Sequence, residues 1–248
     1  MEDHIVRKLL ELNRRFYQTF SSQFSNTRVR VQPGVNRVLD QIPLDSKILD
    51  LGCGNGIVVK ELMLMSFIGE YIGIDSNEEL LEIAQRRAEQ SKRFTFINYD
   101  LADPDLGIKV DKYTKTMRED TRYDVIFCFA TLHHLPGRKL HLQVLKIINT
   151  LLKKNGRLII SNWQFLNSKR LCERIQDWTM VAIKPDDIEP EDFLLDWRQG
   201  GYGLRYAHHF SPEELICLAE QTGFIVIESF LSDGENSNLG LYQVWEKV

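Results

Sequence analysis

The chain has 248 residues, 43% hydrophobic and 27% charged, with 31 basic against 35 acidic side chains and a net charge of −4. That length suits one large domain, and the composition excludes a largely disordered chain. The small acidic excess gives a nucleic-acid partner no support from overall charge.

Residues 1–42 read as helices placed ahead of the first strand. Their opening, Met1-Glu2-Asp3-His4, has no apolar signal core, and no run of 18 apolar residues predicts a membrane helix. Lys47–Leu51 reads as a strand ending in a glycine cluster, and Ile57–Met65 as the helix that follows. Glu70–Ile74 is the second strand; Asn77–Gln90 is a helix with Ser76 or Asn77 as its cap. Phe94–Tyr99 is the third strand, Asp103–Thr121 a charged connection, and Tyr123–Phe129 a strongly apolar fourth strand. Leu142, Leu145, Ile148 and Leu152 recur at helical spacing within Leu140–Leu152. Arg157–Ser161 is strand five, led in by the turn Lys154-Asn155-Gly156.

A long insertion, Trp163–Phe210, follows. It is expected to carry a helix, because Leu171, Ile175, Trp178 and Ala182 share one helical face, and to act as a lid or binding segment. Ser211-Pro212-Glu213-Glu214 then opens a capped helix that Gly223 ends. Ile225–Phe230 and Leu241–Trp245 close the set of strands. Continuous apolar runs alternating with helices predict an α/β fold with a doubly wound, mostly parallel, seven-stranded Rossmann-like sheet. Cys53, Cys128, Cys172 and Cys217 lie far apart, which points to reduced thiols and a cytoplasmic protein. Neither they nor the six histidines show a metal-ligand spacing.

The sharpest motif is Asp50-Leu51-Gly52-Cys53-Gly54-Asn55-Gly56, where a strand gives way to a helix. Glycines permit positive φ there and let a ligand lie against the backbone, next to the free N–H groups of the helix start. The spacing is not the G-x-G-x-x-G of a nicotinamide site, and no Gly-Lys-Ser/Thr follows to make a Walker loop. Cys53 sits where a helix start can lower a thiol pKa, or simply fills the turn as a small residue. Asp75, with Ser76, ends the second strand 25 residues after Asp50, the spacing of a ribose-binding acid in a βαβ unit. Asp100 and Leu101, after the third strand, can accept from an adenine amino group and donate to its ring. Phe129-Ala130-Thr131-Leu132-His133-His134 leaves the fourth strand.

This succession resembles the class I S-adenosylmethionine-dependent methyltransferases. The resemblance implies that cofactor and a set of residues around it: Asp50, Gly52, Cys53, Gly54, Asn55, Gly56, Asp75, Ser76, Asp100, Leu101, Phe129, Ala130 and His134. It also implies one domain over residues 1–248, divided into a helical cap (1–42), a cofactor core (43–162), a substrate or lid insertion (163–210) and a closing helix with two strands (211–248). Outside the core, Phe16 to Arg28, Ser161-Asn162-Trp163 and Leu204 to Ser211 look like the eukaryotic tRNA wobble-uridine carboxymethyl methyltransferases. That likeness puts Arg28, His133, Arg205 and His208 on the substrate side. It implies a tRNA carboxylate as acceptor, with a small activating protein partner; no membrane partner is expected, because no long apolar run is present. A small-molecule O- or N-methyl acceptor, or a binding protein without catalysis, remain the alternatives. A carboxylate acceptor needs no general base, so no catalytic base is assigned; another acceptor would turn first to His133 or His134.

Overall fold

The computed structural model describes residues 1–88, 91–115 and 122–248. In chain order the elements are α1 (Asp3–Thr27), α2 (Pro33–Leu39), β1 (Lys47–Leu51), α3 (Ile57–Leu64), β2 (Glu70–Asp75), α4 (Glu78–Arg87) and β3 (Phe94–Asn98). Then come α5 (Leu106–Lys115), β4 (Tyr123–Phe129), α6 (Arg138–Leu151) and β5 (Leu152–Trp163). The insertion holds α7 (Lys169–Cys172), β6 (Ile175–Gln176), β7 (Asp192–Trp197) and β8 (Gly203–His208), and α8 (Pro212–Gln221), β9 (Phe224–Ser232) and β10 (Gly240–Lys247) end the chain.

Seven strands form one sheet in the order β3-β2-β1-β4-β5-β10-β9. Only β10 runs against its neighbours, pairing antiparallel with β5 and β9. The order reverses between β1 and β4, and in open α/β sheets ligands bind at that switch, outside the carboxyl ends of the strands. Alternate residues of each strand feed two cores. Leu49, Leu51, Ile74, Ile126 and Ile160 pack with α5, α6 and α8. Ile48, Tyr71, Val125, Phe127 and Ile159 pack with α2 and α3 on the other face. Burial on both faces is why these strands read as continuous apolar runs.

The predicted strands and core helices are present with small shifts at their ends. Asn77 caps α4, its side chain accepting from the Leu80 N–H at 3.0 Å, and Ser211 caps α8 by accepting from the Glu214 N–H at 3.1 Å. Strand five is longer than expected, and residues 89–90 of the predicted Asn77–Gln90 helix lie outside the described residues. Part of the charged connection is helical, as α5; residues 116–121 lie outside the described residues. No helix among the described residues is long and apolar enough to cross a membrane.

The insertion differs from the expectation. Leu171, Ile175, Trp178 and Ala182 do not share a helix: they fall on α7, β6, a short 3-10 turn and a left-handed residue (Ala182, φ 51°). The segment instead forms a three-stranded antiparallel sheet, β6-β7-β8. Backbone pairing from Asp192 opposite His208 to Trp197 opposite Gly203 satisfies the ladder that a helix would have satisfied locally. The amino-terminal half of α1 covers this sheet, with Ile5 and Leu9 packed among Trp178, Ile183, Leu194 and Tyr206.

Candidate active site

The parallel order β3-β2-β1-β4 brings the ends of four strands side by side. The glycine loop follows β1, Asp75 closes β2, Asp100 follows β3, and Ala130 follows β4. Gly52 has φ 76°, and a Cβ there would lie 2.2 Å from Thr131 Oγ1. The loop after β4 therefore seats directly on the loop after β1. Gly54 has φ 53°, yet a Cβ there would meet no atom within 4 Å. Open space above Gly54 is what a ligand lying on the backbone requires. Gly56 caps α3.

Asp75 is half-buried and accepts from the Gly54 N–H and the Asn77 N–H, each at 2.9 Å. Burial raises its pKa, and those backbone donors pull it back down. A carboxylate so fixed keeps lone pairs free for a diol. Asp100 is exposed and accepts from the Ala102 N–H at 2.9 Å; Ser76 beside Asp75 is exposed too. The Leu101 side chain is buried in the core. Phe129 is half-buried and stacks on Phe127, with ring centroids 4.9 Å apart. Ala130 is exposed in a left-handed conformation (φ 48°), its N–H donating to Ser161 O at 2.9 Å and to Ser161 Oγ at 3.0 Å.

Three residues of the glycine motif do not face that space. Asp50 lies under the loop, 2% exposed, accepting from the Tyr71 hydroxyl at 2.6 Å. Burial pushes its carboxyl up to about 7 despite that bond. Cys53 is buried beneath Gly73, where a Cβ would come within 2.8 Å of its Sγ. Burial raises its thiol pKa well above the ordinary value, so it fills the turn and carries no thiolate. Asn55 turns its side chain toward the end of α1, donating to Ser25 Oγ at 2.9 Å.

The other wall is built by α1 and β8. The Asn13 side chain donates to His134 O at 2.9 Å and Tyr206 O at 3.1 Å, and accepts from the Tyr206 N–H at 2.8 Å. This buried clamp ties α1, the loop after β4 and β8 together. His134 Nδ1 lies 3.1 Å from Tyr206 O and its Nε2 lies 2.7 Å from the Tyr17 hydroxyl. A carbonyl only accepts, so Nδ1 carries the proton and Tyr17 donates to Nε2. Burial, with the Arg205 charge acting the same way, holds His134 down to about 3. His133 is 1% exposed, and burial keeps it well below the ordinary histidine value. Both rings are neutral.

Arg205 is 8% exposed, with rings of Trp163, Phe16 and Trp197 at 4.6, 5.3 and 5.7 Å from its guanidinium carbon. Its buried Nε has no hydrogen-bond partner. Arg28 lies over the Phe24 ring at 5.0 Å, and burial, with repulsion from Arg205, lowers its pKa. Among the described residues neither guanidinium makes an ion pair, and Asp233 attracts Arg28 only at longer range. His208 does not join them. Its Nδ1 bonds to Asp192 at 2.7 Å and its Nε2 approaches Glu214 at 3.1 Å. Burial opposes its charge, but the two carboxylates prevail and raise it to about 9. It therefore bridges β7 to α8 as a buried cation, and the substrate-side expectation for it is corrected. The sequence reading gave no site role to Asn13 or Trp197, and named Tyr17 and Trp163 only as members of the flanking segments. Their signal was faint: an arginine in mid-strand and a polar residue on an otherwise apolar helix stripe.

The loops after β1, β2, β3 and β4 converge at the switch of a doubly wound sheet. The chain belongs to the methyltransferase domain family, which its residues 24–229 match. It is an S-adenosylmethionine-dependent methyltransferase. A candidate methyltransferase of Encephalitozoon cuniculi is 26% identical over 217 residues, covering 86% of this chain and 87% of that one. The ubiquinone biosynthesis O-methyltransferase of Coxiella burnetii is 31% identical over 122 residues, but these are 49% of this chain and 45% of that protein. Among solved structures, an S-adenosylmethionine-dependent methyltransferase of Methanosarcina mazei superposes with TM-score 0.63 at 22% identity, over 88% of this chain and 99% of that one. A glycopeptide N-methyltransferase, MtfA, solved with S-adenosylhomocysteine, gives 0.61 at 12% identity, over 89% and 91%.

Proposed function

We propose that this enzyme methylates a carboxylate, and that the carboxylate belongs to a modified uridine of tRNA. One observation carries the first part. Arg28 and Arg205 stand within electrostatic reach of Tyr17 and of each other, and no acid among the described residues pairs with either. A buried Arg205 beside a half-buried Arg28 that repels it, with Asp233 acting on Arg28 only through longer-range attraction, is stabilised when an anion arrives, and a guanidinium matches a carboxylate with two parallel N–H donors.

S-adenosylmethionine, when bound, supplies an electrophilic methyl group. The glycine loop and Asp75 would hold it on the side of β1 and β2, with Gly52, Gly54, Gly56, Ser76 and Leu101 offering backbone and Asp100, Phe129 and Ala130 lying along the rim. Arg28 and Arg205 orient the acceptor oxygen from the opposite wall, which supplies proximity and alignment. Tyr17 and His134 exclude water between the two sides. Neither histidine takes a proton: a base held near 3 would be ineffective for a phenol, and His133 is buried and neutral. A lysine acceptor, as the name of the 29%-identical yeast protein-lysine N-methyltransferase EFM4 describes, would meet repulsion from both arginines.

The tRNA part rests on the likeness of the flanking segments, which also implies a small activating protein; a cytoplasmic site of action rests on the widely separated cysteines. Incubation with labelled S-adenosylmethionine and, separately, total tRNA and a small-molecule extract tests both parts. Counts are expected in tRNA and should leave as volatile methanol in mild base, as a methyl ester does. Base-stable counts contradict the carboxylate. Base-labile counts confined to the extract remove the tRNA.

A further inference from the structure

Asn55 occupies the middle of the glycine loop, directly after ligand-facing Gly54, yet its side chain is 2% exposed and turned the other way. Its Nδ2 points at three acceptors, Ser25 Oγ at 2.9 Å, Arg28 O at 3.3 Å and Ser25 O at 3.4 Å. From the far side, Arg87 Nη1 donates to the Asn55 carbonyl at 2.9 Å, pinning the residue between α4 and α1.

The segment it grips is distinct from the rest of α1. Helical geometry lapses at Phe20 (φ −115°, ψ 18°), and the part beyond crosses toward the cofactor side. There the Ser21 hydroxyl donates to Glu79, and just before the kink Asn77 Nδ2 donates to Tyr17 O at 2.8 Å. Arg28 closes this half-helix, its N–H donating to Ser25 O at 2.9 Å. The backbone turn that ends α1 is therefore held by one amide of the glycine loop, and the side chain leaving that turn is the Arg28 guanidinium.

We propose that Asn55 is a positioning residue: through the Ser25–Arg28 turn it passes the seating of the glycine loop to Arg28, so the acceptor cation is in place only when the cofactor side is. This rests on the carboxylate reading for what Arg28 does, though the coupling itself does not. A ligand lying on Gly54 fixes the adjacent peptide and hence the origin of the Asn55 side chain. Acceptor affinity then rises with cofactor occupancy, and the reverse holds by linkage.

Asn55→Ala and Asn55→Asp separate this from a cofactor contact. The second keeps the size and loses the N–H donors. Both should raise the acceptor KM roughly 10-fold, one hydrogen-bond's worth, while S-adenosylhomocysteine affinity by calorimetry stays within about threefold. In an Arg28→Ala background, adding Asn55→Ala should change the acceptor KM by less than about twofold, because coupled residues are non-additive. Hydrogen exchange at residues 21–28 should slow when S-adenosylhomocysteine is added to the parent protein and not when it is added to Asn55→Ala. A parallel loss of S-adenosylhomocysteine affinity, multiplicative effects of the two substitutions, or equal protection in parent and variant overturns the proposal. If Arg28→Ala leaves the acceptor KM untouched, the carboxylate reading fails by itself, and the exchange comparison still decides the coupling.

Discussion

Replacing Arg205 with methionine is expected to lower kcat/KM for the anionic acceptor about 100-fold, with S-adenosylhomocysteine affinity held within about threefold. Charged hydrogen bonds contribute about 1.5–3 kcal/mol each, so losing a two-donor contact to a carboxylate costs roughly 3 kcal/mol or more. Met fills much of the aliphatic volume between Phe16, Trp163 and Trp197, which limits the packing loss around a side chain only 8% exposed. Lysine should not rescue: an ammonium is a compact point donor and lacks the planar fork that three rings hold in place. Steady-state kinetics beside calorimetry separates the two sides of the pocket. A loss of S-adenosylhomocysteine binding equal to the loss of kcat/KM would move Arg205 to the cofactor side.

Asp75→Ala should act on the other ligand, weakening S-adenosylhomocysteine binding roughly 100- to 10,000-fold. Two ribose hydroxyls would lose a charged acceptor, at about 1.5–3 kcal/mol each. The carboxylate also holds the Gly54 N–H at 2.9 Å, so its removal loosens the open position of the loop. Asp75→Asn keeps one carbonyl acceptor and should fall between the parent and Ala. Calorimetry decides it, and affinity within threefold of the parent would exclude Asp75 from the ribose.

The strands and the glycine loop were largely legible in the sequence because their rules are local. A strand buried on both faces is continuously apolar, the positive φ values of the loop call for glycine, and Asp75 lies one βαβ unit downstream. Within that motif, side-chain direction was not legible. Asp50 and Asn55 belong to the pattern but turn to Tyr71 and Ser25, since partners brought together by the fold leave no mark on spacing. For Cys53 the spacing left open a lowered thiol pKa or a small residue filling the turn, and its burial under Gly73 decides for the second.

The acceptor side was harder to read because it joins segments far apart in the chain. Asn13 clamps β8 across 193 positions, and it helps to bring Tyr17 to His134. Leu171, Ile175, Trp178 and Ala182 matched a helical period by coincidence, while Asp192–Trp197 and Gly203–His208 pair as a hairpin. His208 had the right residue type near Arg205, but the two are three positions apart, an odd spacing that puts them on opposite faces of the strand, and Asp192 and Glu214 claim it.

The measurement that bears most directly on a pocket shared between cofactor and anion is a crystal structure with S-adenosylhomocysteine. The ribose hydroxyls are predicted on Asp75 and the amino-acid portion over Gly54, with the sulfur turned toward Tyr17, His134 and the Arg28–Arg205 pair. A product whose sulfur faces away from both arginines, or that leaves Gly54 and Asp75 untouched, contradicts the account.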